Sequence, residues 1–268
     1  MWKSFSKNMA NVSRRDLLKL GGAAALGLGA ARFIPAQQDQ ENYFKAPLLW
    51  HGSRSYKNIA LTYDDCNSLE RLHKVEATLD EFPEFRVTFF PIGLKIPDLE
   101  KKDKGIWKRL VGKGHEIGYH TYDHVNIDVM SLVGALADFD KCHHALNDAL
   151  GADYPLRFVR PPYDIIGQTL DALCQERGLV ATLFSVGGGG DPKVVLRAIQ
   201  QAKGGDIVQM HIRTEDYESS KLALPWLQEN GWELVAMSGL YDAFLREQVN
   251  SAGCDVNTGN ALTRTCVE

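Results

Sequence analysis

His120 and His124 stand four positions apart in the stretch Gly114-His115-Glu116-Ile117-Gly118-Tyr119-His120-Thr121-Tyr122-Asp123-His124. It reads as a short strand, Glu116 to Tyr119, running into a single helical turn that sets residues i and i+4 side by side, so that both imidazoles face one point. Neutral imidazole is the commonest protein ligand for zinc-like ions, and a catalytic ion also takes an oxygen ligand and keeps one position open for water. The chain must supply a carboxylate from elsewhere; without one, the pair is two exposed polar residues on a turn.

Other chemistry-bearing residues interrupt apolar runs in the same abrupt way. Ile59-Ala60-Leu61-Thr62-Tyr63 is of strand length and ends at Asp64-Asp65; Arg157 to Val159 ends at Arg160, and Asp206 to Met210 at His211. Between such runs apolar residues recur at helical spacing, as in Leu69, Leu72, Val75, Leu79 and Phe82 before Pro83, and in Leu132, Ala135, Phe139, Cys142, Leu146 and Leu150 before Gly151. The remaining strands are read at Arg86 to Phe90, Leu179 to Val186 and Trp232 to Ala236. The remaining helices are read at Lys102 to Lys113, Gln168 to Arg177, Val194 to Ala202, Lys221 to Glu229 and Leu240 to Gln248. Gly114, Gly151, Gly178, Gly204 and Gly231 fall where a helix hands over to a strand, the place of a left-handed cap.

About seven strand and helix alternations predict an α/β fold with parallel strands. A closed or nearly closed barrel is favoured over an open doubly wound sheet, because no glycine fingerprint follows the first strand. The polar residues also collect at the C-terminal strand ends, the face on which parallel barrels build active sites.

The 268 residues are 44% hydrophobic and 24% charged, an ordinary globular balance. Residues 1–36 hold six basic side chains and one acid, so the net charge of −4 leaves −9 for the remainder. An acidic body argues against nucleic acid as a partner and fits a neutral or cationic substrate. Ser13-Arg14-Arg15-Asp16-Leu17-Leu18-Lys19, followed by the small apolar run Leu20 to Ala31 and by Pro35-Ala36, looks like a twin-arginine export signal. It implies the twin-arginine translocation machinery as a partner and a periplasmic or extracellular destination. The run is too short and too rich in Gly and Ala for a membrane span, and none is expected in the mature chain. Cys254 and Cys266, in a polar tail, are the natural disulfide pair in an oxidising compartment, while Cys142 and Cys174 read as buried apolar residues. The expected organisation is a signal at 1–36, a linker and irregular lead-in at 37–56, a catalytic domain at 57–248 and a tail at 249–268.

With Thr62-Tyr63-Asp64-Asp65, His120 through His124, Arg160-Pro161-Pro162-Tyr163 and Val208-Gln209-Met210-His211 in this order, the chain resembles the NodB-type polysaccharide deacetylases, carbohydrate esterase family 4. The resemblance spans roughly Lys57 to Phe244 and implies a single distorted (β/α) barrel of about seven parallel strands. It implies a divalent metal, zinc first, with cobalt, nickel or manganese as alternatives, held by Asp65, His120 and His124. Asp64 corresponds to the general base, Arg160 to the arginine that pairs with it, the backbone N–H of Tyr163 to an oxyanion donor, and His211 to the general acid. The implied substrate is an acetylated polysaccharide, most simply one containing N-acetylglucosamine such as peptidoglycan or an exopolysaccharide, with acetate as the other product. O-deacetylation or hydrolysis of another amide or imide is the alternative within the fold, and a carbohydrate-binding protein without turnover the alternative outside it.

Three departures from the family pattern bear on the site. Cys66-Asn67 replaces Gly-Pro after the paired aspartates, which puts a thiol in line as an adventitious ligand or a point of oxidation. Gln209 replaces leucine two residues before the histidine. The segment Ser185-Val186-Gly187-Gly188-Gly189-Gly190-Asp191-Pro192 has no tryptophan, and Asp191 is the one candidate for a carboxylate that tunes His211.

Overall fold

The computed structural model describes residues 44–251; the expected export signal and the expected Cys254–Cys266 disulfide fall outside them. Strand β2, Asn58–Asp65, is the axis of the fold, and every residue of it except Asp65 is buried. A strand covered on both faces reads as a continuous apolar run rather than an alternating one, which is why Ile59 to Tyr63 is legible. It lies between β3 (Thr88–Pro91) and β8 (Asp206–His211), parallel to both, in a register that sets Asp64 opposite His211. Strand β4 (Glu116–Ile117) extends this sheet beyond β3, and β7 (Val186–Gly187) extends it beyond β8. Strand β9 (Glu233–Leu234) pairs with the first two residues of β2.

A second sheet holds β1 (Leu48–Leu49), β6 (Val180–Thr182) and β5 (Phe158–Val159), again parallel throughout. A parallel bridge from Tyr119 to Val159 joins it to the first. The α/β class and the parallel strands are as expected, and the two sheets, linked also by an antiparallel bridge from His51 to Asp206, are consistent with the distorted, nearly closed barrel that was expected. The single strand expected from Leu179 to Val186 is divided between them. The lead-in expected to be irregular supplies β1, which the backbone of Ala181 and Leu183 holds in register.

Helices cover the sheets where the periodicity placed them. In α1, Leu69–Asp80, the Ser68 hydroxyl accepts from the Arg71 amide at the N-terminus, and Leu72, Val75 and Leu79 are buried. The helix expected over Lys102 to Lys113 is present, and one that was not expected precedes it: the two are α2 (Lys95–Lys102) and α3 (Ile106–Gly112). Pro97 masked the first, yet a proline in a first turn removes an N–H that has no partner there anyway. Trp107 ties the two together by donating its indole N–H to the Ile96 carbonyl at 3.0 Å. The long α4 (Leu132–Leu150) buries the predicted stripe, with Ser131 at one end and left-handed Gly151 at the other. Helices α5 (Gln168–Arg177), α6 (Pro192–Gln200), α7 (Thr214–Glu229) and α8 (Met237–Ser251) complete the set. Cys142 and Cys174 are buried free thiols, as expected.

One predicted cap moves by a residue. Gly114, Gly151, Gly178 and Gly231 are left-handed, but before β8 the left-handed residue is Gly205, at φ 78°, and not Gly204. Both glycines are required there for space, since a Cβ on Gly204 would lie 1.9 Å from the Tyr56 carbonyl oxygen and one on Gly205 would lie 2.5 Å from that of Ser53.

Candidate active site

Asp65, His120 and His124 converge beyond the C-terminal ends of β2 and β4. Asp65 Oδ1 is 3.6 Å from His120 Nε2 and 3.4 Å from His124 Nε2, and the two imidazole rings meet edge to face at 4.9 Å. No helical turn brings the histidines together. The chain from Thr121 to Asn126 is irregular, with Thr121 at φ 58° and His124 at φ 57°, and the Thr121 hydroxyl accepts from the Val125 amide. Asp138 on α4 anchors this loop by accepting from the Tyr119 hydroxyl at 2.6 Å and from the Tyr122 amide at 2.8 Å. Among the described residues, the non-glycine residues at positive φ are Asp65, Cys66, Thr121, His124, Tyr163 and Asp164. All six belong to the three loops around this point, a concentration of backbone strain that typifies a functional site.

The three residues fit a divalent ion. His120 Nδ1 lies 2.6 Å from the Arg160 carbonyl, which can only accept, so Nδ1 carries a proton and Nε2 is the nitrogen turned toward Asp65; burial works to lower the pKa of His120, but Asp65, Asp64 and the Arg160 carbonyl outweigh it and raise it. Asp65 Oδ1 is buried with no hydrogen-bond donor, a costly state for a carboxylate oxygen unless a cation meets it. Burial works to raise the pKa of Asp65, but His120, His211 and His124 outweigh it and hold the carboxyl below its usual value. Burial and the neighbouring His120 lower the pKa of His124, which favours the neutral ligating form. Cys66 is not a fourth member. Its thiol is wholly buried, points to the Tyr63 carbonyl at 3.6 Å, and is kept protonated by burial and by the adjacent Asp64 and Asp65, so the expected ligand or oxidation site is a core residue.

Asp64 faces the same space from one residue earlier. Arg160 Nη1 donates to it at 3.1 and 3.4 Å, and both side chains are almost fully buried. The rest of the guanidinium is also satisfied: Nε donates to the Thr182 carbonyl, Nη2 to Thr62 Oγ1 and the Leu183 carbonyl, and the plane stacks on Phe90. Such complete pairing is what a buried guanidinium requires. Gln209 adds a donor that the sequence did not announce, with Nε2 2.8 Å from Asp64 Oδ2 and 3.2 Å from Asp164 Oδ1. Asp164 is a second carboxylate missing from the sequence reading. Burial chiefly, with Asp64 adding to it, raises its pKa above the usual range.

Tyr163 is 65% exposed, with its ring against His124 at 4.9 Å and its backbone left-handed at φ 63°. Pro161 and Pro162 fix the approach to it. His211 ends β8; burial lowers its pKa, and the negative Asp64 and Asp65 act in the opposite sense. Asp191, expected as a partner of His211, instead caps α6 by accepting from the Lys193 amide at 2.8 Å. Asp216, in the first turn of α7, is a completely buried carboxylate. Burial pushes its carboxyl up to about 6, and the backbone amides of His211 and Gly189 face it. The glycine run is therefore more than a loose rim, because Gly188 lies so close to β8 that a Cβ on it would stand 2.3 Å from the Gln209 carbonyl oxygen.

Residues 51–182 match the polysaccharide deacetylase family. The chain is 29% identical over 199 residues to the peptidoglycan-N-acetylglucosamine deacetylase PgdA of Listeria monocytogenes; the match covers 70% of this chain but only 40% of that protein's length. It is 27% identical over 205 residues to a peptidoglycan-N-acetylglucosamine deacetylase of Bacillus cereus, covering 71% of this chain and 91% of that protein. Among solved structures, the Bc1960 peptidoglycan N-acetylglucosamine deacetylase shares the fold at a TM-score of 0.65 and 23% identity over 74% of this chain and 94% of that one. The CE4 family pseudoenzyme BA3943 of Bacillus anthracis does so at 0.64 and 20%, over 73% and 69%. The chain thus carries a NodB-type polysaccharide deacetylase domain of carbohydrate esterase family 4.

Proposed function

We propose that this protein is an exported, divalent-metal-dependent deacetylase that hydrolyses N-acetyl groups of an N-acetylglucosamine-containing polysaccharide, peptidoglycan or an exopolysaccharide, and releases acetate. The observation that carries the reading is the donorless, buried Asp65 Oδ1 facing two imidazole nitrogens, one residue from a carboxylate held by a buried arginine. A zinc-like ion bound by Asp65, His120 and His124 supplies Lewis acidity, acidifying water and polarising a carbonyl. Asp64 takes the proton from the attacking water, and Arg160 keeps that carboxylate ionised and aimed. The backbone N–H of Tyr163 donates to the oxygen on which negative charge develops. His211 gives a proton to the departing amine, and its lowered pKa makes its charged form a ready donor.

Acetate release from a panel of acetylated glycans, with and without a chelator, tests the reading. Release that a chelator abolishes and a divalent ion restores is expected. Release indifferent to chelation overturns metal dependence, and a chain that binds metal and glycan yet frees no acetate is a binding protein.

Export by the twin-arginine route is supported by Arg14-Arg15 before the weakly apolar run Leu20 to Ala31. No helix among the described residues is long and apolar enough to cross a membrane. Replacing Arg14 and Arg15 together with lysine should retain the full-length chain in the cytoplasm; undiminished export of that variant excludes the route.

A further inference from the structure

Gln209 and His211 lie on one face of β8, two residues and so about 6–7 Å apart, with His211 at the mouth and Gln209 one pleat deeper. Gln209 faces inward, since its amide reaches Asp64, and it stands opposite Thr62 in the strand register. In the deacylase reading His211 protonates the departing nitrogen, which places that nitrogen, and the polymer it carries, at the end of the strand. The acyl tail on the other side of the carbonyl carbon then points inward. There it meets the Gln209 amide and the Asp164 carboxylate that the amide bridges to Asp64. Among the described residues the Asp164 carboxylate accepts from no donor other than Gln209. Left-handed backbone at Tyr163 and Asp164 carries Asp164 into this position.

We propose that Gln209 and Asp164 form a polar floor that selects an acyl group bearing a hydrogen-bond donor, a hydroxyacyl amide, over an unsubstituted acyl group of similar size. The assignment rests on the deacylase reading above. A hydroxyl on the tail donates to Asp164, whereas a methyl in its place strips water from a carboxylate and gives no bond back. The reaction itself is ordinary amide hydrolysis: water adds to the carbonyl, the C–N bond breaks, and the hydroxy acid leaves as the carboxylate beside the free amine.

The test uses one glucosamine oligomer carrying acetyl, hydroxyacetyl or propionyl groups, with kcat/KM measured for each on the full chain and on Gln209→Leu and Asp164→Asn. The unaltered protein should favour hydroxyacetyl over propionyl by about 10-fold or more, the scale of a matched donor against an isosteric methyl. Gln209→Leu, close in shape, should lower that ratio toward or below one even though it also takes a donor from Asp64, because the loss at Asp64 falls on all three substrates alike. Asp164→Asn should lower the ratio mainly through KM of the hydroxyacetyl substrate. A ratio near one in the unaltered protein, or a ratio that neither variant changes, overturns the proposal. Turnover of none of the three by metal-loaded protein overturns the deacylase reading and this one with it, so the two failures are told apart.

Discussion

Replacing Asp64 with asparagine should slow acetate release by about 10²–10⁴-fold, the contribution of one general base, while leaving bound metal unchanged. Asparagine keeps the shape and can still accept from Arg160 through its oxygen, but it cannot take a proton. The variant also leaves the Arg160 guanidinium, wholly buried, without its counter-charge. Breaking a buried pair from one side costs about 3–5 kcal/mol, so thermal unfolding has to be followed and rates taken well below the variant's midpoint. Under those conditions, metal stoichiometry equal to the parent together with a lost rate separates a base from a ligand. An unchanged rate would show that proton removal lies elsewhere, and a lost metal would move Asp64 into the coordinating set.

Replacing His120 with alanine should abolish both metal binding and turnover. Loss of a group that merely orients a ligand typically weakens a metal site 10–100-fold, and loss of one of three protein ligands should exceed that. The same holds for His124, with one instructive difference. His120 is buried and fixed by the Arg160 carbonyl, whereas His124 is part-exposed on a strained loop, so His120→Ala should also open a cavity and lower thermal stability without metal. The readout is metal content by mass spectrometry alongside thermal unfolding with and without added ion. A ligand at 100 times its Kd raises stability by about 2.7 kcal/mol in the parent, and that increment should vanish in both variants. A variant that keeps its ion at full stoichiometry would exclude the histidine from the site.

The two experiments bear on adjoining parts of one site. A pseudoenzyme shares this fold, so fold alone does not separate turnover from binding. In the proposed mechanism the distinction rests on Asp64, Arg160 and His211 acting together with the three ligands, and the Asp64→Asn comparison addresses that combination directly.

The sequence by itself determined the parallel α/β class, the helix stripes, and the placing of Asp64, Asp65, His120, Arg160 and His211 at strand ends. Each is a local signal: a buried strand must be apolar until it stops, and the first polar residue after it marks the mouth of the fold. The tertiary structure decided where side chains point once the strands end. Left-handed backbone at Asp65, Thr121 and His124 builds the cluster that a helical turn had been expected to build, and the sign of φ at a non-glycine residue is set by surrounding contacts rather than by its own preference. The same holds for Cys66 turned into the core, Asp191 spent on a helix cap, and Asp164 brought to Gln209 from 45 residues away. Asp164 and Gln209 have no periodic or motif signal in common; only the packing of the loop after β5 against β8 makes them neighbours, and chain closure over that distance leaves no trace in local composition.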